Sequence, residues 1–119
     1  MLTRIIGIIV LLISSAATAS VKVESNGFVV LEGLAINAPP QKFYETLLGK
    51  VGEWWNPEHT FSGDSKNLSI EAKPSGCFCE NFPKGGGVEH MRIVYLSLNS
   101  TAVMSGALGP LQTSVLPVH

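Results

Sequence analysis

The sequence has few charged residues and no cluster of basic ones. Asp, Glu, Lys and Arg together make up 14% of the 119 residues, and the formal net charge at pH 7 is −1. A protein that binds nucleic acid neutralises phosphates with a patch or stripe of Lys and Arg. This chain has no such patch, so we exclude nucleic-acid binding.

Cysteine is also scarce, since the chain has two, Cys77 and Cys79. Small secreted domains that depend on disulfides carry more of them. The chain therefore has to fold around a hydrophobic core, and its length is typical of a single domain. The run Gly85-Gly86-Gly87 is predicted to be a turn rather than a phosphate-binding loop, because no helix is predicted to begin after it. We predict no cofactor.

The N-terminal residues have the layout of a secretory signal peptide. Arg4 supplies a positive charge, Ile5 to Ile13 is an apolar run, and small residues follow. The triplet Ala17-Thr18-Ala19 fits the cleavage pattern, so we predict a signal peptide at 1–19 and a secreted or periplasmic domain at 20–119. An uncleaved anchor is the alternative, because the uncharged stretch approaches the roughly 17–25 residues that span a bilayer. After cleavage behind Ala19 we expect no stable membrane insertion.

The mature chain is predicted to contain short helices followed by an antiparallel meander. Alternating apolar and polar residues, separated by short turns, predict four consecutive strands. Such strands pair antiparallel, and the preceding helices cover one face of the sheet, so the fold class is α+β. The predicted elements are a polar lead-in at Ser20–Gly27, a strand at Phe28–Ile36, a helix capped by Asn37 and ended by Gly49, a helical turn at Val51–Trp55, a loop at His59–Lys66, and strands at Asn67–Lys73, Cys77–Phe82, Val88–Ser97 and Thr101–Leu108.

Several pieces of this sequence, in their order, resemble the SRPBCC superfamily. They are "LAINAPP", the pair Trp54-Trp55, the hairpin start "SGCFCE" and the strand "VEHMRIVYLSLN". The sequence looks closest to the branch related to the activator of the ninety-kilodalton heat-shock ATPase, and the resemblance covers Val29 to Gln112. It implies a START-like, polyketide-cyclase-like helix-grip fold, in which a curved antiparallel sheet grips a long C-terminal helix around an apolar cavity. Members mostly bind hydrophobic small molecules, and a few are cyclases or hydrolases.

The sequence departs from this family at its C-terminus. The family fold needs further strands and a long helix after Gln112, whereas Thr113 to His119 follow here. We therefore expect an incomplete, C-terminally truncated helix-grip fold that lacks the long helix. A homo-oligomer that covers the exposed sheet face is an alternative. Without such a cover we expect some of a set of apolar residues to be exposed, namely Phe78, Met91, Tyr95 and Met104.

The function that we expect is binding of a hydrophobic, lipid-like small molecule without catalysis. An apolar cavity with few convergent polar groups suits such a ligand. The predicted ligand-binding residues are Phe43, Trp54, Trp55, Phe61, Phe78, Met91 and Met104. A cyclase- or hydrolase-like enzyme is the alternative, with Glu58, His59 and His90 as the candidates for acid–base chemistry. A non-functional fragment or an interaction subunit is the third possibility.

The two cysteines lie one residue apart in a predicted strand. Side chains at positions i and i+2 are about 6.6 Å apart and run parallel, so we do not expect an unstrained disulfide between Cys77 and Cys79. If the turn is centred between Lys84 and Gly85, Cys79 lies opposite His90 and Cys77 opposite Arg92. Two buried thiols, a Cys2His metal site with His90, and a reactive pair activated by Arg92 are the alternatives.

Two asparagines match the acceptor pattern for N-glycosylation. They are Asn67, in Asn67-Leu68-Ser69, and Asn99, in Asn99-Ser100-Thr101. These asparagines can carry a glycan if the chain passes through a eukaryotic secretory pathway.

Overall fold

A computed structural model describes residues 17–106 and 109–113. The chain divides after Asn37 into two compact units, where the sequence predicts one domain over 20–119. Most of the predicted signal peptide, the end of the last predicted strand and residues 114–119 lie outside the described residues. Of the helices within the described ranges, none is long and apolar enough to cross a lipid bilayer.

The first unit contains an antiparallel hairpin of β1 (Thr18–Glu24) and β2 (Gly27–Gly33), in which Glu24 pairs with Gly27. The prediction of a polar lead-in at Ser20–Gly27 is wrong. Valine alternates with polar residues there, and β-branched residues favour an extended strand. Ala19, after which we predict cleavage, lies in β1 opposite Glu32. The side chains of both strands are exposed.

The second unit begins with two helices, α1 (Pro40–Gly49) and α2 (Val51–Trp54). The predicted cap at Asn37 is wrong, because the N-cap residue is Pro39, whose carbonyl accepts the Phe43 N–H at 3.0 Å. Proline is compatible with this position and with the first helical residue, where no amide hydrogen is required. The predicted end of the helix at Gly49 is confirmed.

The segment between α2 and the sheet contains two short 3-10 helices, Pro57–His59 and Ser65–Asn67. Each is preceded by a residue whose side chain accepts a backbone N–H. The acceptor is Asn56 Oδ1 for the Glu58 amide at 3.0 Å and Asp64 Oδ1 for the Lys66 amide at 2.9 Å. Such caps satisfy amides that a helix start leaves without partners, so this predicted loop has a defined path.

The sheet of the second unit is an antiparallel meander in the order β3-β4-β5-β6, as predicted. Its strands are β3 (Leu68–Ile70), β4 (Cys77–Asn81), β5 (Gly87–Ser97) and β6 (Thr101–Gly106). The first strand is shorter than predicted, because the backbone turns before β4, with the Gly76 amide donating to the Lys73 carbonyl at 2.8 Å. With two antiparallel sheets and few helices, the fold class is α+β, as predicted.

Strand β5 carries two extra residues that interrupt its pairing. Phe78 pairs with Met91 while Cys79 pairs with Glu89, so His90 is an extra residue opposite β4. The predicted pairing of Cys79 with His90 is therefore wrong, whereas that of Cys77 with Arg92 is confirmed. A second irregularity lies between Ile93 and Tyr95, opposite β6. Both are β-bulges, which change the direction in which neighbouring side chains point.

The core lies between the helices and one face of the sheet. Its buried residues are Val51, Leu68 and Phe78, and partly buried side chains pack against them, including Trp55, Ile70, Met91 and Met104. Of the four residues among which we expect exposure on the uncovered face, Phe78 is buried and Met91 and Met104 are partly buried against the core. Tyr95 is 56% exposed, but it follows the second bulge and projects with Val103 from the outer face, so its exposure does not reflect a missing cover.

Candidate functional site

An apolar pocket of about 380 Å³ lies between the two helices and the sheet. Helix α1, the end of α2 and strands β3 to β6 all contribute side chains to it. Five of the seven predicted ligand-binding residues line it: Trp54, Trp55, Phe78, Met91 and Met104. The other lining residues are Leu47, Leu48, Ile70 and Ala102.

Phe43 and Phe61 do not line the apolar pocket. The ring of Phe43 lies at the start of α1 and contacts the ring of Tyr44, with centroids 5.8 Å apart. Phe61 lies in the segment after the first 3-10 helix, and its ring contacts Phe82 and His90 instead. The predicted ligand-binding set lacks four lining residues, Leu47, Leu48, Ile70 and Ala102. Strand alternation places Ile70 on the same face as Leu68 and could have indicated it.

The two tryptophans form one wall of the apolar pocket. Their rings lie 5.5 Å apart, and Trp54 is 44% exposed. Both indole N–H groups have protein acceptors, since Trp54 Nε1 donates to the Thr46 carbonyl at 3.1 Å and Trp55 Nε1 to the His59 carbonyl at 3.2 Å. Because the N–H of each ring has a protein acceptor, the surface that the two rings present to the pocket is apolar.

A fully buried carboxylate lies on the same face of the sheet, on Glu80 of β4. Its Oε1 accepts the Ser62 amide at 2.6 Å, and its Oε2 accepts the Phe61 amide at 3.1 Å and His90 Nε2 at 2.9 Å. Buried charges are retained in proteins where hydrogen bonds replace the lost water. The carboxylate therefore joins the 61–62 segment to strands β4 and β5.

The pKa of Glu80 is lowered despite its burial. Burial alone raises the pKa of a carboxyl group, because it penalises the charged form. The hydrogen bonds from the side chain and amide of Ser62, from the Phe61 amide and from His90 outweigh this effect and hold the pKa below its usual value of 4.5. Glu80 is therefore ionised at neutral pH. A carboxylate has no proton to donate, so His90 carries its proton on Nε2.

The bulge in β5 positions His90 for this contact. In a bulge, two residues of one strand oppose one residue of the other, so His90 and Met91 both lie opposite Phe78. The His90 ring lies 5.3 Å from the Phe78 ring and 5.8 Å from the Phe61 ring, between centroids. A regular strand would place one of the two neighbours, His90 or Met91, on the outer face.

A second pocket of about 380 Å³, the histidine pocket, contains all three predicted acid–base residues. It is lined by Trp55, Glu58, His59, Thr60, Phe61, His90, Gly109 and Pro110. Glu58 and His59 are exposed, in the first 3-10 helix, and the His59 carbonyl accepts the Trp55 indole N–H. Of the three, His90 has a buried carboxylate to orient it, which is the usual support of a catalytic imidazole.

Cys77 and Cys79 form a disulfide, contrary to our expectation. The expectation assumed a regular strand, in which their Cα atoms are about 6.6 Å apart. The observed Cα–Cα distance is 5.3 Å, within the range that a disulfide bridges. The shorter distance shows that β4 is less extended here than a regular strand, next to the β5 bulge that shifts the pairing between Phe78 and Cys79.

The alternative Cys2His metal site of Cys77, Cys79 and His90 is not assembled in the described part of the chain. The bulge directs His90 to the core face, where it contacts Glu80. Glu89 lies with the cysteines instead, and the three potential donor atoms are within 4.8 Å of one another. Both sulfurs are in the disulfide, and a disulfide sulfur lacks the thiolate charge that metals bind.

Comparison of this chain with protein-family models, with curated proteins and with solved structures finds no match. The resemblance to the SRPBCC superfamily therefore stays a prediction from the residues quoted above.

Proposed function

We propose that the second unit binds a hydrophobic, lipid-like small molecule in the apolar pocket, without catalysis. The observation that carries this proposal is the pocket itself, whose nine lining residues are all apolar or aromatic. Its volume of about 380 Å³ lies within the roughly 300–1,000 Å³ of small-molecule sites. Trp54, which is 44% exposed, offers an apolar contact to a ligand that enters.

Saturable quenching of tryptophan emission tests this proposal. A fluorescent fatty acid that absorbs at the emission wavelength of tryptophan is titrated into the folded chain. We expect a saturable decrease, because Trp54 and Trp55 both line the apolar pocket. The Trp55→Phe variant should retain binding and lose a large part of the quenching.

Filling the pocket provides a matched pair of variants. Ala102→Trp adds a large side chain inside the pocket and should weaken binding at least tenfold. Val103→Trp adds the same side chain one residue along β6, at a position that is 44% exposed and on the other face of the strand. Equal effects of the two substitutions, or quenching that does not saturate, would contradict the proposal.

We further propose that the second unit is a helix-grip domain of the SRPBCC type. The supporting observations are the element order, two helices followed by an antiparallel meander, and a pocket between them. An experimental structure with a bound fatty acid provides the test. The four strands should curve around the ligand, and a flat sheet with the ligand on its other face would contradict this fold.

We propose that the protein is exported and that residues 1–19 are removed. Cleavage after Ala19 takes Thr18 and Ala19 from β1 and leaves Ser20 to Glu24 paired with Gly27 to Leu31. The hairpin therefore keeps most of its pairs in the mature chain. N-terminal sequencing of the secreted or periplasmic protein should begin at Ser20, and recovery of an intact Met1 would contradict the proposal.

An acid–base enzyme is the second candidate, and His90 is the observation that favours it. Its imidazole lines a pocket, and the Glu80 contact leaves Nδ1 as the atom that can accept a proton. A p-nitrophenyl ester is the probe substrate. Enzymatic hydrolysis should saturate and fall at least 100-fold in His90→Gln but not in His59→Gln. Equal rates in the wild type and both variants would exclude this candidate.

A further inference from the structure

The disulfide between Cys77 and Cys79 connects two residues of the same strand. A structural disulfide stabilises a fold mainly by restricting the unfolded chain, and its effect grows with the length of the loop that it closes. This one closes a very short loop, with a sequence separation of 2, and connects β4 to no other element. Stabilisation of the fold is therefore a poor explanation for it, and a chemical role has to be considered.

The surroundings of the two sulfurs differ in charge. Cys77 lies directly opposite Arg92, and Cys79 lies directly opposite Glu89. Side chains of paired residues project from the same face of a sheet, with Cβ atoms about 4.5–5.5 Å apart. Arg92 is held in place by Glu89, whose carboxylate it contacts through Nε and a terminal nitrogen, and by the Ser75 carbonyl at 3.3 Å.

This asymmetry distinguishes the two sulfurs chemically. The thiolate is the reactive form of cysteine, and a neighbouring cation stabilises it. Arg92, opposite Cys77, therefore favours a thiolate on Cys77. A Glu89 carboxylate oxygen lies within 4.8 Å of both sulfurs and acts on both alike, so Arg92 is what distinguishes them. Both cysteines are half-buried, so a small reagent can approach them.

We propose that Cys77 and Cys79 form a reversible thiol–disulfide exchange site for small disulfides and thiols. The Cys77 thiolate attacks one sulfur of a disulfide RSSR, and the S–S bond breaks to release RS⁻, which takes up a proton. Cys79 then loses its proton and attacks the Cys77 sulfur of the mixed disulfide, releasing the second RS⁻. Two protein thiols are thereby oxidised to the disulfide, and one RSSR is reduced to two RSH.

This site is independent of the apolar pocket. Phe78, between the two cysteines, lines the pocket, and neighbouring residues of a strand point to opposite faces. The sulfurs therefore lie on the outer face of the sheet, together with Arg92 and Glu89. Failure of ligand binding in the pocket would leave the exchange reaction unaffected.

Reduction under native conditions is the first test. The full chain is equilibrated with glutathione buffers of increasing reduced-to-oxidised ratio, and its thiols are counted by alkylation and mass spectrometry. We expect reversible gain of two thiols with an unchanged far-UV circular dichroism spectrum. Reduction that occurs only after the chain unfolds would overturn the proposal, because the disulfide would then be a structural one.

Single-cysteine variants provide the second test. Cys79→Ser leaves Cys77 free, and it should react with the neutral disulfide 4,4′-dithiodipyridine at least tenfold faster than Cys77→Ser does. In the Cys79→Ser background, Arg92→Gln should slow the reaction severalfold and Arg92→Lys should restore it. Lys84→Gln removes a cation from the adjacent turn and should have no effect. Equal rates for the two cysteines, or no effect of Arg92→Gln, would overturn the proposal.

Discussion

His90 Nε2 donates a hydrogen bond to Oε2 of Glu80 across 2.9 Å, and the acceptor is a fully buried carboxylate. The same carboxylate accepts the amides of Phe61 and Ser62, so one charge joins a loop segment to two strands. Because these donors replace water around the charge, the ionised form of Glu80 is part of the folded structure.

The free energy of unfolding should therefore depend on pH through Glu80. Its folded-state pKa is lowered from the usual 4.5, so the unfolded chain binds a proton before the folded chain does. The stabilisation from Glu80 is fully present above about pH 5 and is lost as the pH falls through the folded-state pKa. Urea unfolding at pH 7, 5.5, 4 and 3 measures this loss.

Two substitutions separate Glu80 from the other carboxylates. Glu80→Gln places an amide N–H₂ against backbone donors and should cost about 1–3 kcal/mol at pH 7. It should also reduce the change in stability between pH 5.5 and 3. Glu58→Gln, at an exposed carboxylate, should leave that change as it is in the wild type. A Glu80→Gln protein with the wild-type pH profile would contradict the assignment.

Leu68 and Leu98 provide a test of where the core lies. Leu68 of β3 is 6% exposed and belongs to the core cluster, whereas Leu98 in the β5–β6 turn is 74% exposed. Leu68→Ala should destabilise the fold by about 2–5 kcal/mol, because it leaves a cavity. Leu98→Ala should change stability by less than about 0.5 kcal/mol. Chemical denaturation compares the two, and equal losses would show that the core is placed incorrectly.

Gly76 should not tolerate a side chain. A Cβ atom there would lie 2.7 Å from the Lys73 carbonyl oxygen and closer still to that of Glu71. Both oxygens belong to the backbone turn between β3 and β4, so relief requires the turn to move, and Gly76→Ala should cost about 3 kcal/mol. Gly49→Ala, which has free space at the end of α1, is the matched control and should be tolerated. Thermal unfolding distinguishes them, and similar midpoints would contradict the packing of this turn.

The two glycosylation patterns should differ in occupancy. Asn67 is half-buried, and its side-chain nitrogen donates to Ser62 Oγ at 3.0 Å. Asn99 is exposed in the β5–β6 turn. In a eukaryotic secretory host we expect a glycan on Asn99 and little on Asn67. Mass spectrometry of wild type, Asn99→Gln and Asn67→Gln checks this, and a glycan that survives Asn99→Gln would contradict it.

The strand order and most element boundaries could be predicted from the sequence, because they depend on local patterns. Alternation identified the meander, and Gly49 marked the end of α1. The lead-in at Ser20–Gly27 was misassigned, because its polar residues concealed the alternation of Val21 and Val23. Five of the predicted ligand-binding residues line the apolar pocket, because large apolar side chains pack between the sheet and the helices.

The Glu80 site could not be predicted, because its parts are far apart in the sequence. The Phe61 amide is a backbone donor, and any residue type has one, so no side-chain pattern indicates it. The contact with His90 depends on a bulge, which leaves no recognisable mark in the alternation of β5. The same regular-strand assumption produced the wrong partner for Cys79 and the wrong expectation for the disulfide.

The two bulges of β5 each add one residue, and together they add two, which is one full repeat of the alternation between the faces of the strand. Leu96 pairs with Ala102 on the pocket face, and His90 also faces the core, so residues of even number face inward at both ends of β5. Between the bulges the parity is reversed, and Met91 faces inward. Loss of one extra residue alone would move every following side chain of the strand to the opposite face of the sheet. Loss of both would shorten the strand and leave each remaining side chain on its present face. A change in strand length is thus compatible with this sheet in steps of two.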